Sequence, residues 1–387
     1  MTIIHKIIVD PLDDNNLIVK KCYTYNNFYN IVTYDKSKLT PENAHIYGMF
    51  RSVVMCKHTS RSRIVSFSPP KSISSKEYME KYPEKTDVPI HGSEFVEGTM
   101  INLFFDSIVY KWEVCTKNSV GAKVKFYDTS NKTFSEMFFD ACDYNGIDIS
   151  TLNQNCVYSF VLQHPENRIV TPFLTPNLYL IKVYEIANEL ENDVFPIIIA
   201  EKELPMIKGV KYPKKYTFNT YKEAVDQFAS ENTEYTTMGV VIENIVTGER
   251  TKFRNPNYEQ VKQLRGNQSK LKYWYLCLRQ NGQLNNFLKM YPETAHLIVK
   301  YRDEIHAFTK ELYEKYVECY IKKCKPLIEY SAKFRTHMYK LHEKFLSDRI
   351  VNNMNRVIKY VNELHPSLLM HSLNYDNYEK KMRLTLI

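Results

Sequence analysis

The chain has 387 residues, 44% of them hydrophobic and 25% charged, with only 10 Gly, a globular composition that argues against disordered and fibrous classes, and no apolar run approaches the ~20 residues a membrane-spanning helix needs. Its length gives room for two domains, each with a full core. The net charge of +8 is uneven, with 23 Lys and Arg against 13 Asp and Glu from Pro256 onward, and 29 against 31 before it. A near-neutral front therefore precedes a basic back, which suits a polyanion and equally suits a solvated, lysine-rich helical surface.

The opening MTIIHKIIVDPLDD meets acids and a proline too early for a signal peptide. Eight cysteines are scattered with no C-x-x-C pair, the pattern of reduced thiols in an intracellular protein. Up to about residue 55, β-branched and aromatic runs such as IIHKIIV, LIVKKCYTY and MFRSVVMC read as strands, and Arg51 opens the last of them. RIVSF follows as a strand ended by Pro69-Pro70, with Lys71 just beyond, and polar YMEKYPEKTDVP reads as a connector.

From Ser93 to Ala122 a Glu-Gly-Thr turn leads into an apolar strand, then a short turn, then a strand ending at Thr116-Lys117. Ser135 caps a predicted helix reaching Tyr144. CVYSFVLQHPENRIV reads as two short strands hinged at Pro165, and NLYLIKVYEI as another strand. YKEAVDQFASE has helical spacing, with Tyr221, Ala224 and Phe228 on one side. GVVIENI and RTKFR form a hairpin turning at Thr247-Gly248.

After Pro256 the period becomes helical. Tyr301, Ile305, Phe308, Leu312, Tyr316 and Cys319 mark one face of a long helix; Phe334, Met338, Leu341 and Phe345 mark a second, and Val357, Ile358 and Val361 a third. The pattern stops at Pro366, which predicts an irregular tail.

Several of these pieces, in this order, resemble the motifs of the ATP-dependent RNA ligases of the T-even phage RNA ligase 1 kind. They are FRSVV with Arg51, PPKS with Lys71, VEGTMI with Glu97 and Gly98, and KWEVCTKNS with Thr116, Lys117 and Ser119. Pro165-Glu166-Asn167-Arg168-Ile169-Val170 after a strand is the most specific, and MGVVIEN and TKFR, with Lys252 and Arg254, complete the series. The resemblance covers residues 50 to 270. It implies nucleotide or phosphate contacts at Arg51, Lys71, Glu97, Gly98, Lys117, Lys252 and Arg254.

The departures fall on the catalytic positions. The family's nucleophilic lysine, which becomes joined to AMP, is here Phe95; glutamates expected at two further positions are Val161 and Met238. Phenylalanine has no nucleophilic atom, and Val161 and Met238 cannot ligate a hard cation such as Mg²⁺. Three apolar side chains meeting in one cleft predict a pocket turned into core. Lys85 and Lys111 lie near the turn as substitute nucleophiles, and His91 and His164 flank the motifs. His337 and His342, five apart on one helix, do not stack as metal ligands.

Lys322, Lys323, Lys325, Arg335 and Lys340 interleave with aromatic residues, a pattern suited to RNA phosphates and stacking and equally to a salt-bridged face carrying Glu311, Glu314, Glu318 and Glu343. In the phage family the C-terminal helical domain helps to recognise structured RNA.

The elements and the resemblance together predict an α+β fold, with a nucleotidyltransferase domain of antiparallel sheets over residues 1–255 and an all-α domain over 256–387. The leading expectation is a protein that has lost lysine adenylylation and binds RNA or a protein partner, with no cofactor and no membrane. Two rivals stand beside it: an active RNA ligase using ATP and Mg²⁺ through an unrecognised lysine, and a structural or assembly subunit. The Tyr, Asn and Lys bias suits a large DNA virus, with the protein in the host cytoplasm or the virion.

Overall fold

The computed structural model describes residues 2–9, 19–25, 28–56, 63–85, 88–187 and 196–385; Leu17, Ile18 and the side chain of Cys22, included in the expectations above, lie outside this set. The chain divides into two compact units, Met1–Gln263 and Leu264–Ile387.

The first unit carries three sheets, and every strand ladder among the described residues is antiparallel. A seven-stranded sheet runs in the order Ile4–Ile7, Ile197–Lys202, Asn177–Ala187, Cys156–Gln163, Thr99–Asp106, Lys111–Thr116, Ser119–Val120. Its period-two alternation supplies two cores. Ile101, Leu103, Tyr158, Phe160 and Leu162 face the Phe134–Asn145 helix, which contributes Met137, Phe138 and Ala141. Phe104, Val157 and Tyr184 instead pack with Ile31, Val54 and Phe67 of a four-stranded sheet formed by Val19–Tyr25, Tyr29–Tyr34, Val53–Cys56 and Arg63–Phe67.

A second four-stranded sheet runs Lys215–Phe218, Ile90–Glu94, Gly239–Glu243, Arg250–Arg254. Phe218, Val240, Ile242 and Phe253 on one face pack against Tyr78, Tyr221 and Ala224, which come from the short helices Ser75–Lys81 and Tyr221–Phe228.

The structure corrects several local expectations. The Phe134–Asn145 helix is capped by Thr133, not Ser135, because Thr133 and Glu136 form a reciprocal capping box. Arg51 lies in the turn before its strand, and the expected polar connector contains the Ser75–Lys81 helix. Arg168–Val170 is not a strand: Pro165–Asn167 forms a single tight helical turn, and the backbone after it bonds to a side chain instead of a ladder.

In the second unit the long helix is Ala295–Tyr316, with Ile305, Phe308, Leu312 and Tyr316 buried; a π-turn over Val317–Ile321 then buries Cys319. Phe308 stacks on Phe334 of the Ala332–Asp348 helix at 5.4 Å between ring centres. Val357 and Val361 of the Met354–Glu363 helix are buried, but Ile358 is exposed, so that face is narrower than its apolar residues imply. Pro366 begins a helix, Pro366–Leu373, where its missing N–H costs nothing at the first position, and Tyr375–Thr385 is helical too. No helix among the described residues is long and apolar enough to cross a membrane. The seven described cysteines are all free, and Cys324 is the exposed one.

Candidate functional site

A cavity of about 250 Å³ lies in the first unit between the seven-stranded sheet and the Gly239–Glu243/Arg250–Arg254 hairpin. The hairpin explains its charge. Thr251 and Phe253 are buried on the side that meets the helices, so Arg250, Lys252 and Arg254 all point the other way, into the cavity. Register places Arg254 opposite Gly239, Lys252 opposite Val241 and Arg250 opposite Glu243. Arg51, Lys182 and Lys262 join the lining, with Glu94 and Glu243 as its acids.

The apolar part of the lining includes Phe95, Val161 and Met238 together. The three departures thus lie in one place: Val161 is buried, Phe95 and Met238 are half-buried, and the cavity stays open beside them. Lys252 Nζ lies 4.7 Å, and the Arg254 guanidinium carbon 5.3 Å, from the centre of the Phe95 ring, so both cations stack on its π-face.

Lys252 is the most perturbed group here. Burial, then the charges of Arg51, Arg250, Arg254 and Lys262, push its ammonium down to about 7. Among the described residues neither Lys252 nor Arg51 has a carboxylate within ion-pair distance. Four other cations of the lining are engaged. Lys182 pairs with Glu201 and, at 2.5 Å, with Glu243; Arg254 lies 2.8 Å and Lys262 3.5 Å from Glu259; Arg250 donates to the Pro70 carbonyl at 2.9 Å.

Not all of the sequence candidates line this cavity. Arg51, Gly98, Lys252 and Arg254 do. Gly98 is needed there: at φ +146° an added Cβ would sit 2.4 Å from the Leu162 carbonyl oxygen and 2.7 Å from Val161. Lys71 is exposed elsewhere, and its backbone N–H donates to Gly48. Lys117 is exposed, its ammonium 5.4 Å from the Tyr34 ring centre. Glu97 is 6% exposed beneath the turn, where its carboxylate accepts the N–H groups of Val170 at 2.7 Å and Thr171 at 3.0 Å. Burial raises its pKa, and those two N–H bonds oppose the rise.

The Pro165–Val170 motif is a latch by the same geometry. Asn167 donates to Thr99 Oγ1 at 2.8 Å and Arg168 Nε to the Val170 carbonyl at 2.9 Å. Lys85 and Lys111 are not in the lining, and Lys111 is paired with Glu113 at 3.1 Å. His91 is not there either. His164 is buried against Asp140, 3.3 Å away.

In the helical unit, Lys322, Lys323 and Lys325 are exposed on the loop after the π-turn; Lys325 lies 4.4 Å from the centre of the Tyr330 ring. Arg335 is half-buried and Lys340 exposed on the next helix. His337 is structural, bonded to Tyr360 Oη and Ser372 Oγ at 2.8 Å each.

Arg250, Lys182 and Lys262 were missed by the sequence reading. Arg250 carried a signal, since residues 250, 252 and 254 of one strand must share a face. Lys182 and Lys262 come from a strand and a helix with no motif around them.

The fit of the ligands that this fold implies differs by ligand. Unpaired Arg51 and Lys252, with Arg254, suit phosphate oxygens. A divalent cation does not fit: Glu94 accepts the Lys214 N–H at 3.2 Å, Glu243 is tied to Lys182, and no group of three or more His, Cys, Asp or Glu that could hold a metal occurs among the described residues.

The first unit thus sets antiparallel sheets around a cation-lined cleft. The chain is 25% identical over 275 residues to the immediate-early protein ICP-46 homolog of Invertebrate iridescent virus 6, across 66% of this chain and 59% of that protein. It is 27% identical over 110 residues to an RNA ligase of Rhodothermus phage RM378, across 26% of this chain and 24% of the ligase. It thus spans less than two thirds of either relative. Among solved structures it is similar to an archaeal ATP-dependent RNA ligase (TM-score 0.37, 10% identity, 75% of this chain and 76% of that one) and to a putative ATP-dependent DNA ligase from Aquifex aeolicus (TM-score 0.36, 11% identity, 86% and 78%). No family model matches.

Proposed function

We propose that this protein keeps a phosphate-binding cleft of the RNA ligase type, forms no lysyl adenylate, and works by binding RNA. One observation carries the reading: the nucleophile position holds Phe95, whose ring lies under Lys252 and Arg254. A phenyl ring offers no lone pair to the α-phosphate, whereas the cations over it attract phosphate oxygens. The basic composition after Pro256 and the exposed Lys322, Lys323 and Lys325 support an RNA-binding role for the helical unit. An open cavity favours a ligand-binding cleft over a purely structural subunit. The viral relatives and the free described cysteines support a place in the host cytoplasm.

The test is the intact mass of the full chain after incubation with ATP and Mg²⁺. No added AMP is expected. An adduct stable to denaturation would overturn the reading in favour of an active ligase, and Lys252, as the most depressed lysine in the cavity, is the site to map first.

A further inference from the structure

The cleft has more to say about how a phosphate would be held. Facing Lys252 are Arg250 and Arg254 on its own strand and Glu243 on the paired strand. Arg51, Glu94, Lys182, Lys215 and Lys262 line the same cavity from other elements, and Glu259 draws on Arg254 and Lys262. The acids are spent: Glu243 and Glu259 on cations already present, and Glu94 on a backbone N–H. What remains without a counter-charge among the described residues is Arg51, Lys215, Arg250 and Lys252, and no carboxylate set is left for a metal ion to bridge to phosphate.

We propose, building on the phosphate-binding reading above, that the cleft takes a phosphate monoester or polyphosphate directly on Arg51, Lys252 and Arg254 without a divalent cation, and that binding brings one proton onto Lys252. The proton balance follows from the cluster. Burial, and then four neighbouring cations, favour the neutral form of the Lys252 amine. A phosphate dianion beside it reverses the local potential and favours the ammonium. The proton comes from solvent, and no bond of the ligand breaks.

The experiment is calorimetric titration of the full chain around pH 8, in two buffers of different ionisation enthalpy, with either EDTA or Mg²⁺. The probes are ATP, an oligoribonucleotide with a 5′-phosphate, and the same oligoribonucleotide with a 5′-hydroxyl. ATP and the 5′-phosphorylated RNA separate the two sources of phosphate. The 5′-hydroxyl RNA corrects for binding elsewhere on the chain.

At least one phosphate probe should bind equally well in EDTA and in Mg²⁺, within about twofold, with uptake of close to one proton. Lys252→Met should weaken that binding by about tenfold or more and abolish the uptake. Lys252→Arg, which keeps the charge, should bind but take up no proton. Binding that requires Mg²⁺, or wild-type binding without proton uptake, would overturn this inference while leaving the phosphate cleft in place. No phosphate-dependent binding under any condition would overturn the phosphate-cleft reading itself.

Discussion

Lys252 and Phe95 form a cation–π pair, with the ammonium 4.7 Å from the ring centre, at the position that the motif resemblance assigns to a ligase's nucleophile. An aromatic face is among the few apolar surfaces that tolerate a nearby cation, so Phe95 stabilises the cluster that a lysine would repel. Phe95→Lys alone is therefore expected not to restore adenylylation, since Val161 and Met238 still supply no carboxylate. The new ammonium would face Lys252 and Arg254 and destabilise the unit by about 2–5 kcal/mol. Labelling with radioactive ATP and a thermal melt check the two halves of this prediction.

Lys252 also predicts how stability depends on pH. Its folded value of about 7 lies below the ordinary 10.5, so between them the unfolded chain holds the extra proton and stability rises with pH. Below about 7 the folded state bears the full cost of the buried charge, about 2–4 kcal/mol after allowing for partial exposure. Lys252→Met should thus be more stable than wild type around pH 6, with the difference shrinking toward pH 10. Chemical denaturation of both proteins across that range measures it; a pH-independent difference would count against the depressed amine.

Glu97 holds the turn to the Val170–Thr171 backbone from a buried position. Glu97→Ala leaves two inward-facing N–H groups without their acceptor and should cost about 1–3 kcal/mol in urea denaturation. Glu97→Gln keeps a carbonyl oxygen there and should recover most of that loss. If the two variants were equally destabilised, the carboxylate charge rather than the hydrogen bonds would be responsible.

For the helical unit, RNA affinity should fall with salt at roughly 0.7–0.9 per phosphate contact in a log–log plot. Changing Lys322, Lys323 and Lys325 to Ala should flatten that slope without altering the melting temperature. Filter binding of tRNA-like and single-stranded RNA over a salt series decides it. A flat wild-type response would remove RNA as the ligand of this unit and favour a protein partner.

Much of this was legible in the chain because the strands alternate cleanly. RTKFR and GVVIE gave the hairpin that carries the cluster, and the Thr99–Asp106 strand was plain from its apolar run. The misses have physical causes. Arg168–Val170 looks like a strand because Ile169 and Val170 are β-branched and apolar, but Glu97 accepts the Val170 N–H, and local propensity has no knowledge of a side chain some 70 residues earlier. Pro366 reads as a helix stop but occupies the first position of the next helix, where proline is at home. The expectation of a closed pocket failed because apolar substitutions do not set the local charge. Cations projecting from one strand face, with Arg51, Lys182 and Lys262 brought in from elsewhere, line a space that the three apolar side chains do not fill.

The exposed loop after the π-turn has a practical use. Cys324 stands between Lys323 and Lys325 and is the exposed thiol among the described cysteines, whereas burial pushes Cys115 and Cys142 up to about 12 and makes them poor nucleophiles. A maleimide dye would therefore report from inside the basic loop. Its fluorescence on mixing with RNA, in a chain with Cys22 and the half-buried Cys277 replaced, would time the arrival of the strand at those lysines.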